Sequence, residues 1–123
     1  MARSTRVLIV DDAPEIRRIH TRFLHASGME VLTAENGIDA LDLARRVVPD
    51  IIVTDVMMPV MDGLALCRQL RAEAATQRVA VVAVTGAADQ AEAALAAGCD
   101  AVLAKPCSRA LLLTTIQLLI DHR

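Results

Sequence analysis

The chain has very few aromatic residues: it contains a single phenylalanine, Phe23, and neither tryptophan nor tyrosine. Its core must therefore consist of aliphatic side chains, and at 54% hydrophobic residues the 123-residue chain has enough of them for one domain. Binding of single-stranded nucleic acid by base stacking on aromatic side chains is excluded. The formal net charge of −2 also argues against nucleic-acid binding, which usually requires a basic patch.

Long apolar runs and paired cysteine motifs are missing as well. No run reaches the roughly 18 apolar residues of a membrane-spanning helix, and the first six residues are unlike a secretory signal. We therefore expect a cytoplasmic protein without a membrane partner. The three cysteines, Cys67, Cys99 and Cys107, form no Cys-x-x-Cys motif. We interpret them as buried free thiols.

Short apolar runs alternate with helical patterns along the whole chain. The apolar runs predict strands over residues 6–10, 30–34, 51–54, 79–84 and 101–104. The helices are predicted over about 14–27, 38–47, from 64 onward, over 89–97 and over 108–121. This alternation predicts an α/β fold with a parallel sheet between two helix layers, and we expect residues 1–123 to form one domain.

The first and last helices have different apolar patterns. In the first helix one face is apolar and is predicted to be buried, formed by Ile16, Ile19, Phe23 and Leu24. The last helix has more Leu and Ile residues than one buried stripe needs. These extra residues indicate either core packing with a few exposed leucines or a surface that contacts another molecule. Asp89 and Ser108 are predicted to cap the last two helices.

Four of the predicted strands end on residues with chemical function. Asp11 and Asp12 follow the first strand, Asp55 the third, Thr85 the fourth and Lys105 the fifth. The carboxyl ends of parallel strands meet at one edge of a sheet, which is where open α/β sheets bind ligands. We therefore expect these side chains to lie close together.

This set of side chains suits a divalent cation and a phosphoryl group. Two like charges 4 Å apart repel by about 4 kcal/mol at an effective dielectric constant near 20, so three carboxylates need a cation between them. Mg²⁺ prefers such oxygen ligands. Lys105 adds a compact positive charge, Thr85 can donate a hydrogen bond, and an ionised aspartate such as Asp55 can attack phosphorus without a general base.

Each of these residues also has a simpler interpretation. Asp11 and Asp12 could cap the first helix, and Asp55 could be an ordinary loop acid. The pairs Thr85-Gly86 and Lys105-Pro106 could be plain turns. Their occurrence together, after four different strands, favours a shared site.

The motifs, in this order and at these spacings, resemble the receiver domain of two-component response regulators, of the single-domain type found in chemotaxis regulators. The resemblance covers residues 5–121. The matching motifs are Asp11-Asp12, Asp55, Met58-Pro59, Asp62-Gly63, Thr85-Gly86 and Lys105-Pro106. The resemblance implies a doubly wound, flavodoxin-like (βα)5 fold with a five-stranded parallel sheet of order 2-1-3-4-5.

The resemblance also implies a metal site and a set of ligands for it. Mg²⁺ would be the cofactor, bound by Asp12, Asp55 and the backbone carbonyl of Met57. Asp11 would contact the ion mainly through water.

The function implied by the resemblance is that of a phosphorylated switch. Asp55 would accept a phosphoryl group from a sensor histidine kinase or a histidine phosphotransfer protein. Thr85 would move toward the phosphoryl group and Lys105 would pair with it. Such a domain is no enzyme toward small molecules, beyond limited catalysis of its own phosphorylation and dephosphorylation.

The output of the switch would pass through residues 88–120. This surface would bind either a second copy of the chain or an output protein, and no nucleic acid by itself. The chain departs from the family at Val102, where many receivers carry Tyr or Phe. The small, β-branched valine offers no large side-chain movement to relay a shift of Thr85.

Two other functions remain open at this point. A phosphatase or transferase that forms an aspartyl phosphate would need a general acid near Asp55 and a substrate cap. A flavodoxin-like nucleotide- or flavin-binding module would need a phosphate-binding loop rich in Gly, Ser or Thr after the first strand. The chain has Asp11-Asp12-Ala13-Pro14 there instead.

Overall fold

The computed structural model describes residues 4–121, over which five strands alternate with five helices. The strands are β1 (Arg6–Val10), β2 (Glu30–Ala34), β3 (Ile51–Asp55), β4 (Ala80–Thr85) and β5 (Ala101–Ala104). The helices are α1 (Pro14–Ala26), α2 (Gly37–Val47), α3 (Gly63–Ala72), α4 (Gln90–Ala96) and α5 (Arg109–Asp121). All strand pairs are parallel and their order is β2-β1-β3-β4-β5, which confirms the predicted flavodoxin-like α/β fold.

The central strands are buried on both faces of the sheet. Every residue of β3 and β4 is buried, as expected for a parallel sheet covered by helices on both sides. Because side chains alternate along a strand, Leu8 and Val10 of β1 join a core with α2, α3 and α4. Val7 and Ile9 join a second core with α1 and α5. This aliphatic packing fixes the positions of the strand ends.

Helix α1 is rotated relative to the predicted orientation. Leu24 is fully buried as expected, but Ile16 and Ile19 are 39% and 50% exposed. The face of α1 that points toward the sheet instead contains Arg17 and Thr21, which are half-buried. The guanidinium of Arg17 donates a hydrogen bond of 2.6 Å to the backbone carbonyl of Asp11, which holds this face of the helix against the end of β1.

The helix caps differ from the prediction at one position. Ser108 caps α5 as expected, since its hydroxyl accepts a hydrogen bond of 3.0 Å from the Leu111 amide. Asp62 caps α3 in the same way through the Ala65 amide. Asp89 makes no side-chain capping bond, so that prediction was wrong. Its backbone already has helical angles, whereas a capping residue needs an extended conformation.

The loop of residues 56–62 after β3 is held close to the sheet by two glycines. The Gly63 amide donates to the Val56 carbonyl at 2.9 Å, and the Gly37 amide donates to the Met61 carbonyl at 3.1 Å. A side chain at Gly63 would overlap the carbonyl oxygen of Asp55, and one at Gly37 would lie 2.6 Å from the Met61 carbonyl oxygen. Both positions therefore require the absence of a Cβ atom. None of the helices within residues 4–121 is long and apolar enough to cross a membrane.

We expect the substitution Gly63→Ala to lower the free energy of unfolding by about 2 kcal/mol or more, because the backbone of β3 must move to relieve the overlap. Urea denaturation measures this change. Gly86→Ala is the matched control, since the nearest atom to its new Cβ is 3.9 Å away. The control should change stability by less than about 1 kcal/mol. Equal stability of the two variants would contradict the argument.

Candidate functional site: an acidic pocket at the carboxyl edge of the sheet

The topology brings the predicted site residues to one edge of the sheet. Asp11 directly follows β1, Asp55 and Thr85 are the last residues of β3 and β4, and Lys105 directly follows β5. Oxygen atoms of the Asp11, Asp12 and Asp55 carboxylates all lie within 4.8 Å of one another. The edge therefore holds three acids and one ammonium group in a single pocket.

Asp11 is held inside this pocket by the backbone that follows it. Its carboxylate is buried, at 7% exposure, and Oδ1 accepts a hydrogen bond of 2.9 Å from the Ala13 amide. Burial raises the pKa of Asp11, and the hydrogen bond from Ala13 partly offsets this rise. The negative charge of Asp55 raises the pKa of Asp11 further. The folded protein therefore destabilises the ionised form of this carboxyl.

Asp55 is paired with Lys105. The Lys105 ammonium donates a hydrogen bond of 2.9 Å to Oδ2 of Asp55, whose side chain is only 6% exposed. Oδ1 of the same carboxylate accepts a hydrogen bond of 3.3 Å from the Met57 amide. Burial alone would lower the pKa of Lys105, but the hydrogen bond and charge of Asp55 and the charges of Asp11 and Asp12 outweigh it, and the pKa is raised. Lys105 is thus protonated beside the carboxylates.

Thr85 lies at the end of the neighbouring strand and is buried. Its hydroxyl oxygen accepts a hydrogen bond of 3.1 Å from the Ala87 amide. Its carbonyl accepts a hydrogen bond of 2.9 Å from the Lys105 amide, so the backbones of these two site residues are directly joined. The Lys105–Pro106 peptide bond that follows is cis.

The donor set fits a magnesium ion. Mg²⁺ binds oxygen ligands at 2.0–2.1 Å, so two ligands on opposite sides of the ion are about 4 Å apart. The carboxylate oxygens of Asp11, Asp12 and Asp55 lie within a distance of this order. Three carboxylates beside the one ammonium of Lys105 also leave two uncompensated negative charges, which a divalent cation would neutralise.

A groove of about 700 Å³ runs from this pocket between α1 and the start of α5. Its lining includes Ile16, Ile19, His20 and Pro106, and it reaches Asp55. His20 is half-buried here, and burial lowers its pKa. The sequence analysis missed this groove, because it predicted Ile16 and Ile19 to be in the core. The sequence did hold one indication: Ile16 and Ile19 lie at the border of the helix face that contains the buried Leu24.

A doubly wound sheet with an acidic pocket at its carboxyl edge defines a class of flavodoxin-like α/β domains. Within this class, residues 7–117 match the model of the response regulator receiver domain. The match covers most of the chain, and the chain belongs to this family.

Individual relatives agree with this assignment. The chain is 41% identical over 101 residues to the response regulator MprA from Mycobacterium sp. (strain KMS). The aligned residues cover 82% of this chain and 44% of MprA. The chain thus spans less than half the length of this curated relative. The chemotaxis protein CheY4 of Vibrio cholerae has a TM-score of 0.88 at 31% identity, covering 94% of this chain and 98% of CheY4.

One solved relative contains a metal ion. The receiver domain of the sensor histidine kinase PA1611 from Pseudomonas aeruginosa has a TM-score of 0.89 at 32% identity, covering 96% of this chain and 98% of that domain. Its structure holds a magnesium ion coordinated in the active site cleft. The acidic triad of the present chain is typical of such a Mg²⁺ site. The chain is a signalling module rather than a catalytic enzyme.

We expect Asp11→Asn to stabilise the metal-free protein at pH 7 by about 1 kcal/mol, because it removes a buried charge that two neighbouring carboxylates also repel. Asparagine keeps an oxygen that can accept the Ala13 hydrogen bond. Because the pKa of Asp11 is raised by folding, the wild type gains stability as the pH falls through that pKa. The advantage of the variant should therefore shrink on acidification.

Thermal unfolding with and without Mg²⁺ measures both effects. The wild type should be stabilised by the ion more than Asp11→Asn is. Asp89→Asn, which changes an exposed acid outside the pocket, should respond to Mg²⁺ like the wild type. A variant that is less stable than the wild type without metal, yet equally stabilised by Mg²⁺, would show that the carboxylates do not share an ion.

Proposed function

We propose that this chain is a Mg²⁺-dependent phosphoacceptor switch in two-component signalling, and that Asp55 receives the phosphoryl group. The observation that carries the proposal is the environment of Asp55: a buried carboxylate at a strand end, hydrogen-bonded to Lys105 and clustered with Asp11 and Asp12. The phosphodonor is a sensor histidine kinase or a histidine phosphotransfer protein. The whole of residues 1–123 acts as one receiver unit.

The Asp55 carboxylate attacks phosphorus, a new oxygen–phosphorus bond forms, and the bond from phosphorus to the donor histidine breaks. Lys105 pairs with the incoming phosphoryl oxygens and offsets their negative charge. Asp11, Asp12, Asp55 and the Met57 carbonyl would hold the metal ion, which supplies further charge neutralisation when bound. Asp55 needs no general base, since it is a nucleophile in its ionised form.

The phosphodonor must place its histidine beside Asp55. The groove along α1 reaches this carboxylate, and its rim carries the exposed side chains of Ile16 and Ile19. We assign this groove to the phosphohistidine-bearing segment of the donor, because it adjoins Asp55 and Lys105 directly. An apolar rim lets a protein partner exclude water around the transferring group.

Thr85 acts as the moving part of the switch. Its hydroxyl leaves the Ala87 amide and donates to a phosphoryl oxygen on Asp55. The bond from the Lys105 amide to the Thr85 carbonyl ties this movement to the start of the β5–α5 connection. Val102, half-buried against the core, gives no ring to carry the signal, so the output depends on backbone shifts of residues 88–120.

The two rival functions gained no supporting observation. A phosphatase or transferase would need a general acid near Asp55, and Asp62 is the acid in the loop that follows it. The Asp62 carboxylate instead accepts a hydrogen bond from the Ala65 amide and caps α3. The family match and the acidic pocket favour a receiver over a nucleotide- or flavin-binding module.

We expect incubation with acetyl phosphate and Mg²⁺ to add the mass of one phosphoryl group to the intact chain. Asp55→Asn should abolish the addition, and so should a chelator. Asp62→Asn is the matched control in the same loop, since asparagine also caps helices, and it should be phosphorylated like the wild type. Undiminished phosphorylation of Asp55→Asn would overturn the assignment.

Residues 88–120 are proposed to bind a second copy of the chain or an output protein. Leu95 on α4 and Leu111 and Leu118 on α5 are about half exposed, at 54%, 49% and 55%. We expect phosphorylation to convert the monomer into a dimer in light-scattering measurements, and Leu95→Glu to prevent it. Ile38→Glu, which alters an equally exposed residue on α2, should leave dimerisation intact. A strict monomer at high concentration in both states would refute dimerisation.

A further inference from the structure

Two of the three cysteines meet in the core, away from the acidic pocket. Cys67 lies on α3 and Cys99 lies two residues before β5, and their exposed fractions are 0% and 6%. Both belong to the core between the sheet and helices α2, α3 and α4. Their thiol groups are neighbours, since each is the largest influence on the pKa of the other. Both are free thiols in this structure, as predicted.

Contacts on both sides of Cys99 hold it against α3. Arg71, one helical turn after Cys67, donates from Nε to the Gly98 carbonyl at 3.0 Å and from Nη2 to Asp100 Oδ2 at 2.8 Å. Gly98 has a φ angle of +106°, and a Cβ atom there would lie 2.9 Å from Cγ of Arg71. Contacts of Arg71 with Gly98 and Asp100 therefore hold the α4–β5 turn close to α3, on both sides of Cys99.

The surroundings divide two chemical roles between the thiols. The hydrogen bond from Cys99 and the positive charge of Arg71 lower the pKa of Cys67 against the opposing effect of burial. The same hydrogen bond and burial raise the pKa of Cys99. Because the thiolate is the reactive form, these opposite directions favour Cys67 as the nucleophile of the pair and Cys99 as the thiol that resolves its product.

We propose that Cys67 and Cys99 are an oxidation site that forms a reversible intramolecular disulfide with peroxides. The Cys67 thiolate attacks one oxygen of hydrogen peroxide, the oxygen–oxygen bond breaks, and sulfenic acid and water result once the hydroxide is protonated. The Cys99 sulfur then attacks the sulfenic sulfur, and a second water leaves. In total two thiols are oxidised, one peroxide is reduced to two waters, and a dithiol reductant restores both thiols.

This site is separate from the phosphoacceptor pocket. Cys99 precedes β5, whereas Lys105 follows it, so the two sites lie at opposite edges of the sheet. A disulfide would tie α3 to the α4–β5 turn without touching Asp55. Since both thiols are buried, the peroxide reaches them through local opening of the fold.

The test is oxidation of the full chain with hydrogen peroxide, followed by removal of the peroxide, denaturation and alkylation with iodoacetamide. Intact mass should show a product that lacks two hydrogen atoms and carries one alkyl group, on Cys107. Peptide mapping should link the Cys67 and Cys99 peptides. Treatment with dithiothreitol before alkylation should give three alkylated cysteines.

Cys107→Ser is the matched control, because Cys107 lies outside this core pair. It should form the same disulfide and carry no alkyl group. In Cys99→Ser, the sulfenic acid should persist at Cys67 and be trapped by dimedone. Circular dichroism checks that Cys99→Ser is folded. The peptide mapping of the wild type tests the disulfide independently of this variant. A crosslink that involves Cys107, or three alkylated cysteines after peroxide treatment, would overturn the proposal.

Discussion

Repulsion among three carboxylates is the interaction on which the organisation of this domain depends. Asp11, Asp12 and Asp55 lie within 4.8 Å of one another, with Lys105 as the compensating cation. Burial raises the pKa of Asp11, and the negative charges of Asp55 and Asp12 act in the same direction, so the ionised pocket without a divalent ion costs folding free energy. The rest of the molecule must therefore supply the stability that the pocket lacks, and a bound ion or phosphoryl group acts on a pocket that is already assembled.

That stability comes from the sheet. β1, β3 and β4 are almost completely buried between two aliphatic cores, so their ends cannot move apart without exposing apolar surface. The loop after β3 is held by the close contacts at Gly37 and Gly63. Rigid strands with short connections thus hold groups that would otherwise separate, which is a general requirement for a preorganised phosphoryl-transfer site.

The predictions from sequence were wrong where they depended on how a helix is oriented against the sheet or on the backbone angles at its first residue. Ile16 and Ile19 have the spacing of a buried helical face, yet they border the groove beside Asp55. In the observed orientation of α1, Arg17 donates a hydrogen bond to the end of β1, a contact that no periodicity reveals. Asp89 has the residue type of a helix cap, but the backbone there is helical. Cys67 and Cys99 likewise share one core, although they lie on α3 and in the turn before β5, two elements whose distance the sequence does not give.

The sequence by itself determined the order of the elements, the fold class and the strand ends that carry chemical groups. It did so because apolar strand runs and their terminal residues are local patterns, and a parallel α/β topology sends all carboxyl ends to one edge. Only the tertiary structure decided how the groups share charge. The pairing of Lys105 with Asp55, the burial of Asp11 and the groove along α1 depend on distances between elements far apart in the chain, and such distances arise from packing.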